Sequence, residues 1–211
     1  MNLKPLLILS AIALGALSSC TTMMFGTKYN YSYGLMGQND IVLDSNAVMH
    51  FEDSLIAMDF VIGQKSISFA MQNNSGKTAR IIWDETLFIK YGSSGRVMHA
   101  GVKYTDRNNP QPPSIIPAST KHEDVLIPTE NVYWRDGYYS SGYSRPGGWE
   151  TKDLFPAYDM NKPEIKEAIL NAKGVEFQVF MPVQFGEEKK EYTFRFKIRN
   201  VAPEVKPAST Y

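Results

Sequence analysis

Apolar residues recur at every second position over several stretches of this chain, a period typical of β-strands with one buried face. The clearest early stretch is Ser66–Gln72, which is followed by the turn formers Asn73–Lys77 and by a second extended segment, 79–90. We predict that the two segments pair as a β-hairpin, with a bulge near Glu85. In the second segment the side chains predicted to face the core are Ala79, Ile81, Trp83, Leu87 and Ile89.

The same alternation predicts strands on both sides of this hairpin. The cleanest pair is Val175–Val183 and Tyr192–Arg199, which we expect to form a second hairpin across a glycine-containing turn. In a strand that ends before Pro128 we expect Val125 and Ile127 to face inward, and we expect a turn at 92–95. Further strands are predicted over residues 48–52, 56–62, 96–104 and 119–127.

One segment has the period of an α-helix instead. Asn161 is the predicted N-cap, Pro163 lies in the first turn, and Gly174 ends the helical apolar pattern. A chain of many strands and one short helix predicts an all-β fold. Because each strand must bury one face, we expect an antiparallel β-sandwich over residues 40–201, and a β-barrel is the alternative.

Residues 131–149 break the alternation. Glycines and serines separate six large aromatic residues that follow no core period. Such a composition is typical of binding surfaces in which rigid rings supply contact area and small residues supply adaptability. We therefore predict a partner-binding loop, and the alternative is a flap whose rings cover one end of the core. The candidate partner-binding residues are Tyr133, Trp134, Tyr138, Tyr139, Tyr143 and Trp149.

The composition argues against some classes of function. Lys and Arg together number 22 and Asp and Glu together number 22, so no net field favours nucleic acid. The single cysteine excludes an intramolecular disulfide and multi-cysteine metal sites. His50, His99 and His122 are isolated in the sequence, and we predict neither a metal site nor a cofactor.

Catalytic motifs are missing at usable spacing. The acid pairs Asp84–Glu85 and Glu123–Asp124 could supply the two carboxyl groups of a glycoside hydrolase. Neighbouring residues of a strand face opposite sides of the sheet, so only one acid of each pair would reach a given site. Ser93 and Ser94 are better explained as turn formers than as nucleophiles. We therefore predict no catalytic residue and a protein that is not an enzyme.

The N-terminal residues 1–19 have the layout of a secretory signal, with an apolar stretch followed by small residues. Their end, Leu17-Ser18-Ser19-Cys20, resembles the lipobox of bacterial lipoproteins. That resemblance implies cleavage before Cys20, a diacylglycerol on its sulfur and an acylated amino group, and two or three acyl chains anchor a protein stably to a membrane. Thr21 differs from the aspartate that resembles an inner-membrane retention signal, which favours the outer membrane.

The order of lipobox, tether and strand-rich body resembles single-domain lipoproteins of Gram-negative bacteria. These carry an immunoglobulin-like β-sandwich, and the resemblance implies that fold without implying an active site. Residues 20–39 are predicted to be a lipidated tether, with the alternative that their tyrosines add an edge strand. Residues 202–211 are predicted to be a flexible tail because proline and small residues dominate them.

These observations favour a lipid-anchored binding or assembly module of the cell envelope. It would be held to the membrane at Cys20 and would contact an envelope protein or glycan through the loop 131–149. A hydrolase of envelope glycans is one alternative, and it requires two carboxyl groups, or a carboxyl group and a histidine, in one cleft. A small-ligand carrier is the other alternative, and it requires a large internal apolar cavity.

Overall fold

The computed structural model describes residues 26–204 of the chain. The predicted signal segment, the lipobox with Cys20 and residues 205–211 of the predicted tail lie outside the described residues. The described part is all-β, with antiparallel strands and one short α-helix. The first eight strands are β1 Tyr29–Met36, β2 Val42–Asp44, β3 Met49–Glu52, β4 Ile56–Ile62, β5 Ile67–Asn73, β6 Ala79–Ile81, β7 Leu87–Lys90 and β8 Ser93–Met98. They are followed by β9 Ser114–Ile116, β10 Lys121–Pro128, β11 Val132–Arg135, β12 Tyr138–Ser140, β13 Tyr143–Arg145, β14 Gly148–Thr151, α1 Pro163–Leu170, β15 Glu176–Phe185 and β16 Glu188–Pro203.

Twelve of these strands form one sheet that nearly closes on itself into a barrel-like shape. Their order is β2-β1-β16-β15-β7-β8-β10-β5-β4-β3, and β6 and β9 join beside β15. The two ends of the sheet lie together, since the Asp44 carboxylate at the end of β2 accepts a hydrogen bond from the His50 backbone N–H of β3 at 2.9 Å. The Asp44 side chain thus satisfies one backbone N–H of the edge that β3 would otherwise expose.

The core lies between the two halves of this sheet. Phe60 on β4 meets Phe194 and Phe196 on β16, with ring centroids 4.7 Å and 5.3 Å apart. Alternate residues of β15 and β16 are buried on this side, and buried apolar surface contributes about 25 cal/mol per Å². The predicted hairpin of these two strands is confirmed, with a turn at Gly186 and Glu187.

The predicted hairpin across residues 66–90 is wrong. β5 pairs with β4 and β10, whereas β6 and β7 pair with β15 on the other side of the core. The side-chain amide of Asn73 donates hydrogen bonds to the carbonyls of Ile116 and Pro117, and this fixes the end of β5 to a distant segment. The chain after β5 therefore crosses to the other half of the sheet instead of turning back on itself.

The segment 79–90 is two strands rather than one strand with a bulge at Glu85. Its tryptophan is buried as predicted, but Trp83–Glu85 forms a turn of 3₁₀-helix that shifts the alternation. After this turn Phe88 is the buried residue, and the predicted Leu87 and Ile89 are only half-buried. A 3₁₀-helix has three residues per turn, whereas the side chains of a strand alternate with a period of two. The helical turn therefore changes which alternate residues of the next strand face the core.

The facing predicted for β10 is also wrong. Asp124 and Leu126 are the buried residues, and Val125 and Ile127 are half-buried. The sequence pattern misleads here because a charged residue occupies an inward position, where His99 and the Ala100 N–H, just after β8, satisfy its carboxylate.

The turn predicted at Gly92–Gly95 is displaced toward the N-terminus. The turn residues are Tyr91 and Gly92, which both have positive φ, and Ser93 already belongs to β8. The strand predicted over 96–104 ends at Met98. Ser93 and Ser94 are therefore strand residues and not turn formers.

The predicted tether is wrong for Tyr29–Met36, which forms β1 and pairs with β16. The rings of Tyr31 and Tyr33 lie 5.9 Å and 6.5 Å from the ring of Phe155. These contacts explain why a tyrosine-rich segment with a weak apolar period is ordered as a strand, as the alternative prediction has it. At the other end of the chain β16 continues to Pro203, two residues into the predicted tail.

The helix α1 confirms the predicted period and corrects its start. Lys162 is the N-cap residue, because Asn161 has a φ of 57° that a helical cap does not take. Ile169 is fully buried and fixes the helix to the body. The helix ends at Leu170, before the predicted end at Gly174, which with a φ of 90° closes the turn that follows the helix.

Candidate functional site

The predicted loop 131–149 is an ordered double hairpin, which we call the aromatic arm and define as residues 132–151. At its base β11 pairs with β14, and beyond a bend β12 pairs with β13 around Gly142. Each pair forms a two-stranded sheet separate from the main sheet. All residues of β12 and β13 are exposed, so none of the described chain covers the tip.

Ion pairs and hydrogen bonds hold the base of the arm. The Glu150 carboxylate accepts bonds from Tyr133 Oη at 3.0 Å, Arg135 Nε at 2.5 Å and Arg145 Nη2 at 2.8 Å. The bond from Arg135 is the main reason that the pKa of Glu150 lies below its usual range. The same carboxylate raises the pKa of Tyr133. Glu150, on β14, thus links the two strands of the arm base to each other and to Arg145 at the end of β13.

We expect the arm base to loosen in acid. A carboxyl group with a lowered pKa stabilises the folded arm above its unfolded pKa of about 4.3, and this stabilisation is lost as the pH falls through the lower, folded value. The chain has three tryptophans, so the indole N–H resonances of Trp134 and Trp149 can be followed by NMR. Both should shift below about pH 4, whereas that of the buried Trp83 should not.

Glu150→Gln is the matched control for this titration, because glutamine keeps the shape of the side chain and cannot ionise. In this variant the two arm resonances should be independent of pH in the same range. Arm resonances that titrate equally in the two proteins would contradict the role of Glu150.

Aromatic packing stiffens the same region. Trp134 and Trp149 meet edge to face with ring centroids 5.7 Å apart, and the guanidinium of Arg107 lies 4.7 Å from the Trp149 ring centroid. Trp134 lies over Gly147, where a Cβ would come within 2.9 Å of its ring carbon Cζ2. Glycine at this position therefore allows the close approach that sets the bend of the arm.

The six predicted binding residues fall into two groups. Tyr133 is engaged within the arm through Glu150, and Trp149 is engaged with Arg107 of the body. The other four have between 53% and 75% of their surface exposed, and they form the open aromatic surface of the arm. These four residues are Trp134, Tyr138, Tyr139 and Tyr143. The alternative prediction, a flap over the core, does not fit rings that face away from the body.

A second cluster brings together two histidines that are far apart in the sequence. The Asp124 carboxylate lies 3.1 Å from His99 Nδ1 and 3.3 Å from His122 Nε2, and it accepts the Ala100 backbone N–H at 2.8 Å. The His99 ring stacks on Trp83 at 4.4 Å. Sequence reasoning missed the cluster, for which the spacing of His122 and Asp124 is the only local signal.

The cluster explains how β8 stays attached to β10. Only two residue pairs join these strands, Met98 with Ile127 and Val97 with Pro128. The contact of His99 with Asp124 adds a side-chain link at this narrow point of the sheet. Among residues 26–204 no group of three or more histidine, cysteine, aspartate and glutamate side chains is arranged to hold a metal ion.

The predicted acid pairs are largely engaged in ion pairs. Asp84 and Glu85 are both exposed on the 3₁₀ turn, where Asp84 pairs with Arg96 and Glu85 with Lys189. Glu123 pairs with a neighbouring lysine of its own strand. Wherever the surroundings shift the pKa of a carboxyl group in residues 26–204, the shift is downward, whereas a general acid at neutral pH needs an upward shift.

Several grooves indent the body, and two of them bear on the alternative functions. One, of about 400 Å³, follows the seam where the ends of the sheet meet, and its apolar walls include Leu35, Phe51 and Phe194. The other, of about 480 Å³, lies on the outer face of β4, β5 and β10 between Asp59 and Glu123. Both open to the surface, so neither is the internal cavity that a small-ligand carrier requires.

Comparisons of the chain with protein-family models, with curated proteins and with solved structures find no match. No helix within the described range 26–204 is long and apolar enough to cross a membrane. Functional conclusions therefore depend on the residues of this chain alone.

Proposed function

We propose that this protein is a lipid-anchored, non-enzymatic binding or assembly module of the cell envelope that contacts its partner through the aromatic arm. The observation that carries the proposal is the exposure of Trp134, Tyr138, Tyr139 and Tyr143 on an arm whose strands pair with no strand of the main sheet. The anchor is proposed from the lipobox that ends at Cys20, and Thr21, in place of the aspartate of an inner-membrane retention signal, favours the outer membrane.

The energetics of the arm favour a partner. A two-stranded hairpin alone is marginally stable in water, and the tip β12–β13 gains nothing from the core. Large exposed rings on a stiff base bind at a low entropic cost, because the Glu150 bonds and the edge-to-face tryptophans have already ordered the base. Tryptophan, tyrosine and arginine are also the residues that most often dominate binding energy at protein interfaces.

The arm has no net charge, which favours binding through its aromatic rings rather than through long-range electrostatic attraction. Arg135 and Arg145 are balanced by Asp136 and Glu150, and no other charged residue lies in 132–151. An envelope protein or a neutral glycan surface would therefore suit the arm, and nucleic acid would not.

We expect that changing Tyr138, Tyr139 and Tyr143 together to serine abolishes partner binding without lowering the melting temperature, because these rings lie outside the core. A photo-reactive amino acid at position 139 in intact cells should give discrete protein adducts if the partner is a protein. Co-sedimentation with purified peptidoglycan tests the glycan alternative. Tyr91→Ser, which removes an equally exposed tyrosine from the body, is the control and should bind normally.

Two outcomes would overturn the proposal. One is the absence of both adducts and co-sedimentation in the wild-type chain. The other is equal binding by the wild-type chain and the triple variant. If the triple variant melts at a lower temperature and the Tyr91→Ser control does not, the three rings contribute to the stability of the fold.

A hydrolase of envelope glycans is the second candidate, favoured by one observation. Asp59 and Glu123 line the same outer groove, and a glycoside hydrolase needs two carboxyl groups in one cleft. It ranks second because Asp59 lies 2.7 Å from His50 and Glu123 lies 2.9 Å from Lys121, so both acids already have partners.

We also propose that the nearly closed sheet is best described as a two-layer sandwich. The narrow junction of β8 with β10 and the ring contacts between β4 and β16 support two layers that face each other. The immunoglobulin-like order of strands stays a prediction.

A further inference from the structure

The described chain leaves the body at an exposed apolar corner. The Thr27 backbone N–H donates a hydrogen bond to Asp159 Oδ1 at 2.7 Å, and the Asp159 N–H donates to the Thr27 carbonyl at 3.1 Å. Tyr158 and Met160 flank this buried aspartate and are 40% and 59% exposed. The point from which residues 1–25 depart is therefore pinned between two exposed apolar side chains, which we call the corner.

The backbone of the corner keeps Met160 outside. Met160 and Asn161 both have left-handed φ angles, 50° and 57°, which non-glycine residues rarely adopt in succession. Gly26 packs directly against this turn, where a Cβ would lie 2.5 Å from the Met160 backbone nitrogen. The exposure of the methionine is thus fixed by the same contacts that hold the first described residues.

The length of chain before the corner limits how far it can lie from a bilayer. Five residues separate Cys20 from Gly26, and an extended chain spans at most about 3.6 Å per residue. If Cys20 carries acyl chains, Gly26 cannot lie more than about 20 Å from the headgroups. The corner is then the part of the body that faces the membrane.

We propose that Tyr158 and Met160 rest in the interfacial region of the bilayer to which Cys20 anchors the chain. This proposal rests on the lipid anchor of the proposed function. Tyrosine is enriched at membrane interfaces, where its ring lies among acyl chains and its hydroxyl among headgroups. Lys162 and Lys166 are exposed beside the corner and would attract anionic headgroups.

The acidic residues next to the corner are paired, buried or flanked by lysines, so they do not oppose contact with anionic headgroups. Lys28 pairs with Glu204 at 3.2 Å, and Asp159 is buried, so neither acid meets the bilayer alone. Glu164 in the first turn of α1 is the exposed acid nearest in sequence, and two lysines flank it at Lys162 and Lys166.

The test uses the full acylated chain in vesicles of phosphatidylethanolamine and phosphatidylglycerol. Cys20 is the only cysteine, and the anchor blocks its sulfur, so Met160→Cys creates a single free thiol for an environment-sensitive fluorophore. We expect a blue-shifted label at position 160 that is quenched several-fold more strongly by nitroxide lipids than by an aqueous quencher. Ile115→Cys is the matched control, since Ile115 is 62% exposed on β9, which joins the sheet through β6 near the opposite end of β15 and β16.

The possible failures can be told apart. A chain that does not float with the vesicles contradicts the anchor, and the corner proposal fails with it. A chain that floats while the label at position 160 stays accessible to the aqueous quencher overturns the corner proposal alone. Lipid quenching of a label at Tyr139→Cys but not at position 160 also overturns it, because the aromatic arm would then face the bilayer.

Discussion

Trp83→Ala is expected to lower the free energy of unfolding by about 3–5 kcal/mol. The Trp83 side chain is 1% exposed, and its ring stacks on His99 and lies 6.2 Å from the Phe69 ring. Its indole N–H donates a hydrogen bond to Ser114 Oγ at 2.9 Å. Truncation would therefore leave a cavity at the point where β5, β8 and β9 meet, and it would leave the hydroxyl of Ser114 without this donor.

Urea denaturation followed by circular dichroism measures the effect. For a chain of this size a loss of 1 kcal/mol corresponds to about 2–4 °C in melting temperature, so the variant should melt well below the wild type. Trp134→Ala removes the same side chain from an exposed site and should change stability by less than about 1 kcal/mol. Equal losses in the two variants would show that burial of Trp83 does not determine its contribution.

Asn73→Asp is expected to have the second large effect, about 3–5 kcal/mol at neutral pH. The fully buried Asn73 amide donates to the carbonyls of Lys77, Ile116 and Pro117 at 2.8 Å, 3.0 Å and 3.1 Å. A carboxylate oxygen in its place would face three carbonyl oxygens, and no donor would remain. Because the site favours the neutral acid, the loss should be smaller near pH 4 than near pH 8, which denaturation at both pH values measures.

Asn74→Asp makes the same chemical change one residue further along the chain. Asn74 is exposed, and its side-chain amide contacts only the Glu52 carboxylate, at 3.4 Å, so the expected change is within about 0.5 kcal/mol. If the two variants lose the same stability, Asn73 is an ordinary turn residue.

The contrast between the two hairpin predictions shows what local patterns can determine. β15 and β16 alternate without interruption on both sides of a short turn, so pattern and pairing agree. Residues 67–90 alternate almost as well, but the partner of β5 is set by hydrogen bonds of Asn73 to residues about forty positions away. Periodicity indicates that a strand has one buried face, and it carries no information on which strand lies beside it.

The sequence predicts which segment carries the candidate site, but it does not predict how the side chains of that segment are arranged. The density of aromatic residues in 131–149 marks the aromatic arm, whereas the division into exposed rings and engaged rings depends on Glu150 and Arg107. The contact of His99 with Asp124 arises between two strands, and the sequence holds no signal for the position of His99. Charged residues that are satisfied by tertiary hydrogen bonds invert the facing that hydrophobicity predicts, as in β10.

The pairing of β1 with β16 has a consequence for the order in which the chain is made. Tyr29 lies opposite Pro203, so β1 can pair with β16 only after all the other described strands have been synthesised. Contacts so distant in sequence slow folding, and an incomplete nascent chain would carry tyrosine-rich β1 as an unpaired, adhesive strand. We therefore expect β1 to be one of the last strands to be fixed in the sheet.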